Sequence, residues 1–196
     1  MKKLLDKFQY NSPVILTYTL IAVAVQIICT IPGTRIIHSL FAASRGSLIN
    51  PLFYIRLFTH VIGHSGWMHL VGNFTYILLI GPMLEEKYGS KRLVAMMAFT
   101  AVLTALINII FFNVSLCGAS GIVFMFILLA SCSNGKNGKI PVTLILAGVA
   151  YIGKEFISAF SPDNISQLSH ILGGICGAAF GLIFTPKKDE TKIQPY

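Results

Sequence analysis

Cys117-Gly118-Ala119-Ser120-Gly121 opens the unbroken apolar run Ile122-Val-Phe-Met-Phe-Ile-Leu-Leu-Ala130, and the fold turns on how that junction is read. A serine hydroxyl at the start of a helix, flanked by Gly118 and Gly121 that let other backbones approach, has the features of a nucleophile held inside a membrane. The run stops at Ser131-Cys-Ser-Asn-Gly-Lys136, so its helix holds about fifteen residues and is roughly 22 Å long. That is shorter than the roughly 30 Å hydrocarbon core of a bilayer. With the Lys136 end at one surface, Ser120 lies beneath the other. Irregular backbone at that depth needs protein or a water-filled cavity around it, and the segment before Ser120 is expected to face such a cavity. The same residues also suit a plain packing role, in which the glycines seat two helices and the hydroxyl bonds back to a carbonyl.

The rest of the chain agrees with a membrane setting. Its 196 residues are 55% hydrophobic and only 11% charged, where soluble domains carry about a quarter charged residues. A mean hydropathy of +0.75 excludes an ordinary soluble domain. The net charge of +8 does not indicate nucleic acid, because the basic residues stand in short clusters between apolar runs rather than in a continuous stripe. The four cysteines, Cys29, Cys117, Cys132 and Cys176, are scattered through apolar segments without paired spacing, so neither a disulfide framework nor a thiolate metal site is expected.

Six apolar segments can be counted, at about 13–31, 67–84, 93–112, 119–132, 140–160 and 168–185. The expected fold is an all-α membrane protein with a six-helix core over 13–185, a short cytoplasmic start over 1–12 and a polar cytoplasmic tail over 186–196. The first apolar run is long enough to span and no clean cleavage site follows it, so it reads as a retained helix. The long loop from Pro32 to Gly66 carries Phe41, Leu48, Leu52, Phe53, Tyr54 and Phe58, too apolar for a solvated linker; short amphipathic helices in the membrane interface are expected there. Eleven of the fifteen lysines and arginines fall on the side of the termini and four, Arg35, Arg45, Arg56 and Lys154, on the other. That bias puts both termini in the cytoplasm and Ser120 beneath the outer leaflet.

Polar groups inside spans are costly and carry a functional hypothesis by default. His69 and Asn73 are four apart, share one helix face and both bear side-chain donors. An interhelical hydrogen bond is the other use for each. His60 and His64 are also four apart, but Val-Ile-Gly lies between them and no glutamate follows the first, so the His-Glu-x-x-His arrangement of a metalloprotease is absent. They are read as ordering the end of the long loop, and no metal or other cofactor is expected. In the last segment Gly173, Gly177 and Gly181 recur every four residues as a smooth stripe for close helix packing, with His170 on or beside that face. If the helix seated there is the one that starts at Ser120, hydroxyl and imidazole meet, and His170 serves as general base and then as general acid for the leaving amine. A core histidine bonded to a serine for packing has the same geometry. His69, Asn73 and the backbone N–H of Ser120 could then supply the donors that an acyl-transfer site needs where negative charge develops.

Taken together, His69 and Asn73 in His-Leu-Val-Gly-Asn, Ser120 in Gly-Ala-Ser-Gly, and His170 with Gly173 in His-Ile-Leu-Gly resemble a rhomboid intramembrane serine protease of the bacterial, six-span type. Arg56 in the long loop and Glu85 in Gly-Pro-Met-Leu-Glu-Glu-Lys-Tyr-Gly89 match as well. The resemblance covers the whole six-span core in order. It implies a Ser120–His170 dyad, an oxyanion site from His69, Asn73 and the Ser120 amide, and cleavage of other proteins' transmembrane segments near the outer face. Transmembrane-protein substrates and membrane lipid are the expected partners, with the bacterial inner membrane as location. Two positions depart from the family pattern: Phe124 stands where many bacterial members carry a tyrosine, keeping the aromatic face and losing a hydroxyl, and Ile55-Arg56 stands where the loop often reads Trp-Arg. The segment around Ser161-Pro-Asp-Asn-Ile165, with the fifth helix and its Gly148 and Gly153, is a candidate gate for substrate. A catalytically silent rhomboid-like protein that binds membrane clients is the alternative, although such proteins usually lose the serine or the histidine. A small transporter or channel predicts paired charges in its spans or an inverted repeat, and neither is visible.

Overall fold

The computed structural model describes residues 10–112, 114–133 and 165–184, together with Val142, Leu146 and Val149. Both chain ends, most of the expected fifth span at 140–160 and the candidate gate before Ile165 lie outside the described residues. The described chain is helical, its one extended pairing a bridge between Ala43 and Leu116.

Helix α1 (Pro13–Thr30) begins with a complete hydrogen-bond account. Pro13 has no N–H to satisfy, Val14 and Ile15 donate to the two carboxylate oxygens of Glu85 at 3.0 and 3.1 Å, and Leu16 donates to the Ser12 carbonyl. The Ser12 side chain makes no cap, so a carboxylate 70 residues away does that work, favoured by the positive end of the helix dipole. After the short turns Arg35–His38 (α2) and Ser39–Phe41, helix α3 (Pro51–Thr59) starts where Asn50 accepts from the N–H of Leu52. The long loop thus contains the expected short helices, but α3 is not polar on its outer side. It buries Phe53 and Leu57 while Leu52, Tyr54, Ile55 and Phe58 stay exposed, a distribution suited to lipid on one side and protein on the other.

Helices α4 (Trp67–Tyr88) and α5 (Ser90–Phe111) have 22 residues each, about 33 Å, and together with α1 they are long and apolar enough to cross a membrane. The expected 67–84 runs on to Tyr88, the expected 93–112 starts at Ser90 and ends at Phe111, and Gly89 alone separates the two, at φ 79°. Glu85 closes this junction too, accepting from the Ser90 hydroxyl at 2.7 Å. At the other end of α5, Arg45 donates to the carbonyls of Ile109 and Ile110, a cation on orphan carbonyls at a helix C-terminus.

Helix α6 (Ser120–Ser133) is the centre of the bundle. Ile122, Met125, Phe126 and Leu129 are fully buried, together with Ile15 of α1, Ile77 and Leu84 of α4 and Leu93 of α5. Its described part is 14 residues, about 21 Å, ending at Ser133. Helix α7 (Ile165–Ile183) packs along it. Outward, Leu20, Leu79, Phe111 and Leu182 are each more than 60% exposed, which is tolerable in lipid and costly in water.

Candidate active site

The backbone leading into Ser120 is held from three sides before the helix starts. Leu116 exchanges two hydrogen bonds with Ala43, at 2.8 and 2.9 Å, and the Gly118 N–H donates to the His60 carbonyl at 2.9 Å. The Ala119 N–H donates to His64 Nε2 at 3.2 Å. Since Nε2 accepts, the proton of His64 is on Nδ1, which donates to the Ile62 carbonyl at 3.1 Å. The other histidine, His60, donates from Nε2 to the Ala101 carbonyl. The two therefore order the end of the long loop, as their sequence position suggests, and they also pin the turn that presents Ser120.

Both histidines are neutral in this setting. Burial pushes His60 down to about 4; burial, and then the neighbouring His69, does the same for His64. In the unfolded chain both titrate near the ordinary 6.5. Above about 6.5 neither state holds the extra protons, whereas between about 6.5 and 4 the unfolded chain binds them and the folded chain does not, so stability falls as the pH is lowered through that window. Thermal unfolding in detergent should show Tm dropping between pH 7 and pH 5, above the ordinary carboxylate range. A Tm constant across that interval would contradict the assignment.

Gly118 sits at φ 126°, a conformation that favours glycine, and a Cβ built there would lie 2.6 Å from Cε1 and 2.9 Å from Nε2 of His69. The imidazole of His69 thus rests on the turn two residues before Ser120. One helical turn further along α4, Asn73 is buried, and its Nδ2 has no hydrogen-bond partner among the described residues. An orphaned amide donor at such a position is costly unless something else accepts from it.

Helix α7 meets α6 through backbone. A Cβ at Gly173 would overlap the Gly121 carbonyl oxygen, and the Gly121 Cα lies 3.0 Å from that Cβ position; a Cβ at Gly177 would overlap the Met125 carbonyl, and one at Gly181 the Cys132 side chain. The glycine stripe therefore seats on α6, with Gly121 also against the Ser169 carbonyl. Phe124, one turn from Ser120, stacks on the His170 ring at 4.5 Å between centroids and 11° between planes. A Cβ built on Gly121 would lie 3.4 Å from the Ser169 carbonyl oxygen, so α7 runs close to α6 in the turn after Ser120. The Ser120 hydroxyl makes no hydrogen bond to another described residue.

The two outlying residues separate. Glu85 is buried and occupied with the starts of α1 and α5, a structural role. Arg56 is half-buried on α3, with Nε buried and unpartnered among the described residues.

Comparison with known proteins accords with this arrangement. A rhomboid domain model matches residues 52–187, more than half of the chain. Rhomboid protease GluP of Bacillus subtilis is 27% identical over 183 residues, covering 88% of this chain and 35% of the relative. Rhomboid protease GlpG of Haemophilus influenzae is 25% identical over 134 residues, covering 65% of this chain and 68% of the relative. Putative rhomboid protease YdcA of Bacillus subtilis is 24% identical over 144 residues, with 69% of each covered. The chain thus spans about a third of the length of GluP and about two thirds of the other two.

Proposed function

The chain belongs to the rhomboid family and is an integral membrane protein, and from that premise we propose that it is an intramembrane serine endopeptidase that cuts membrane-protein substrates in or near their transmembrane segments. Ser120 is the nucleophile and His170 the general base. The observation that supports the proposal is the close approach of α7 to α6 at Gly173 and Gly121, beside the Phe124–His170 stack, the level at which this reading sets hydroxyl against imidazole.

As substrate enters, Ser120 Oγ closes on His170, a hydrogen bond of the kind that is often loose before substrate binds. The hydroxyl attacks the scissile carbonyl carbon and its proton passes to the imidazole. Negative charge then develops on the carbonyl oxygen, where the His69 ring, the Asn73 amide and the Ser120 N–H can donate to it. Collapse breaks the C–N bond, and His170 returns the proton to the departing amine. Water, deprotonated by the same imidazole, then hydrolyses the acyl-enzyme. The unpartnered Nδ2 of Asn73 fits this scheme, since the oxyanion supplies the acceptor it lacks. Water reaches the site from the outer face, both termini lie in the cytoplasm, and a six-span bundle in the bacterial inner membrane completes the reading.

A single-span model substrate reconstituted with the protein in liposomes tests the proposal: two product fragments, lost with Ser120→Ala, are expected. Uncut substrate, retained by pull-down on the wild type, would instead favour a binding protein without protease activity.

A further inference from the structure

A serine just before a helix ordinarily turns its hydroxyl to the first backbone N–H groups. Ser65 does not. It precedes Gly66, the N-cap of α4, which has no side-chain cap; the Ser65 Oγ lies instead 3.0 Å from Nδ1 of His69. The same ring is bounded on its other sides. The His64 ring stands edge-on at 5.0 Å and 71°, and Gly118 lies under Cε1 and Nε2. Nε2 makes no hydrogen bond to a described residue and is the nitrogen turned toward the Ser120 turn.

A neutral imidazole carries one proton on one of two nitrogens, and the bond made by one nitrogen decides the state of the other. We propose that Ser65 is a positioning residue for His69, its hydroxyl donating to Nδ1 and so keeping the ring proton on Nε2, where it faces the Gly118–Ser120 turn. The inference rests on the protease reading above and deepens it. A His69 with its proton on Nδ1 would present a lone pair to a developing oxyanion and repel it. One held by Ser65 presents a donor before substrate arrives, so no reorganisation is needed during the reaction. Ser65 is exposed, and its side chain adds nothing to the buried core.

The test compares Ser65→Val with Ser65→Thr, which share a shape and differ in the hydroxyl. In the liposome assay Ser65→Val is expected to lose on the order of 10-fold in kcat with KM and Tm unchanged, the scale of one hydrogen bond, and Ser65→Thr to recover most of that loss. In a His69→Ala background the Ser65→Val change should cost nothing further. Imidazole 15N shifts of His69, readable whether or not the protein cleaves anything, should report the Nε2–H tautomer in wild type and a mixture in Ser65→Val. The proposal is overturned by an Nδ1–H tautomer in wild type, by equal kcat for Ser65→Val and wild type, or by an undiminished Ser65→Val cost without His69. Failure of the wild type to cleave would count against the protease reading alone, leaving the 15N result to decide the role of Ser65.

Discussion

Replacing Ser120 with alanine is expected to lower cleavage of a single-span substrate by on the order of 10^4-fold or more, to the background left by binding and the oxyanion donors. His170→Ala should cost about as much. The double variant should be no worse than either single change, because hydroxyl and imidazole act on the same proton and the loss of one leaves the other nothing to do. Additive losses would mean that the two work separately. The expectation rests on the close packing of α6 and α7 around them, Gly173 against the Gly121 backbone and Phe124 flat on the His170 ring. The protein should remain folded in both variants: Ser120 is only half-buried, its hydroxyl holds no other described residue, and in His170→Ala the glycine stripe that seats α7 is untouched.

The second large effect comes from one carbon atom. Gly173→Ala places a Cβ on the Gly121 carbonyl oxygen, which is backbone and cannot rotate away. Helix α7 must therefore shift outward at the level of His170, and a misplacement of about 1 Å in reacting groups costs on the order of 100-fold in rate. Overpacking of this kind also costs about 1–3 kcal/mol of stability. Gly174→Ala, one residue on, is the control. Its Cβ would meet only Leu128, at 3.7 and 3.9 Å, an ordinary contact, and alanine is the better helix former by up to about 1 kcal/mol. Loss of activity and Tm with Gly173→Ala alone is the expected result. Equal tolerance of both would show that the helices are not in backbone contact.

Much of this was legible because the relevant signals are local. The start of α6 at Ser120 follows from where its apolar run opens, and the stripe of Gly173, Gly177 and Gly181 follows from a spacing of four on a helix. The pairing of α6 with α7 was then the one assembly that could bring Ser120 to His170, and the structure seats that stripe on Gly121, Met125 and Cys132. What escaped was non-local. Nothing in Gly-Pro-Met-Leu-Glu85 announces that its carboxylate takes the N–H groups of Val14 and Ile15, because a side-chain cap from 70 residues away has no pattern along the chain. The bridge between Ala43 and Leu116 is likewise a single pair without the alternation that marks a strand. His60 and His64 were placed in the right region, but their partners Gly118 and Ala119 become visible only once the long loop is folded against α6. On α3, Leu52, Tyr54 and Phe58, read from sequence as lying in the membrane interface, are exposed, and Ile55 beside them is exposed too, a distribution that suits lipid.

The central claim is that Ser120 is made nucleophilic by His170, and a fluorophosphonate probe reads this without any knowledge of the natural substrate. Wild-type protein in liposomes should carry the phosphonyl adduct on Ser120, identified by mass spectrometry of the modified peptide, and the adduct should disappear in His170→Ala. An adduct on a different serine, or Ser120 labelled as fast without His170 as with it, would contradict the account.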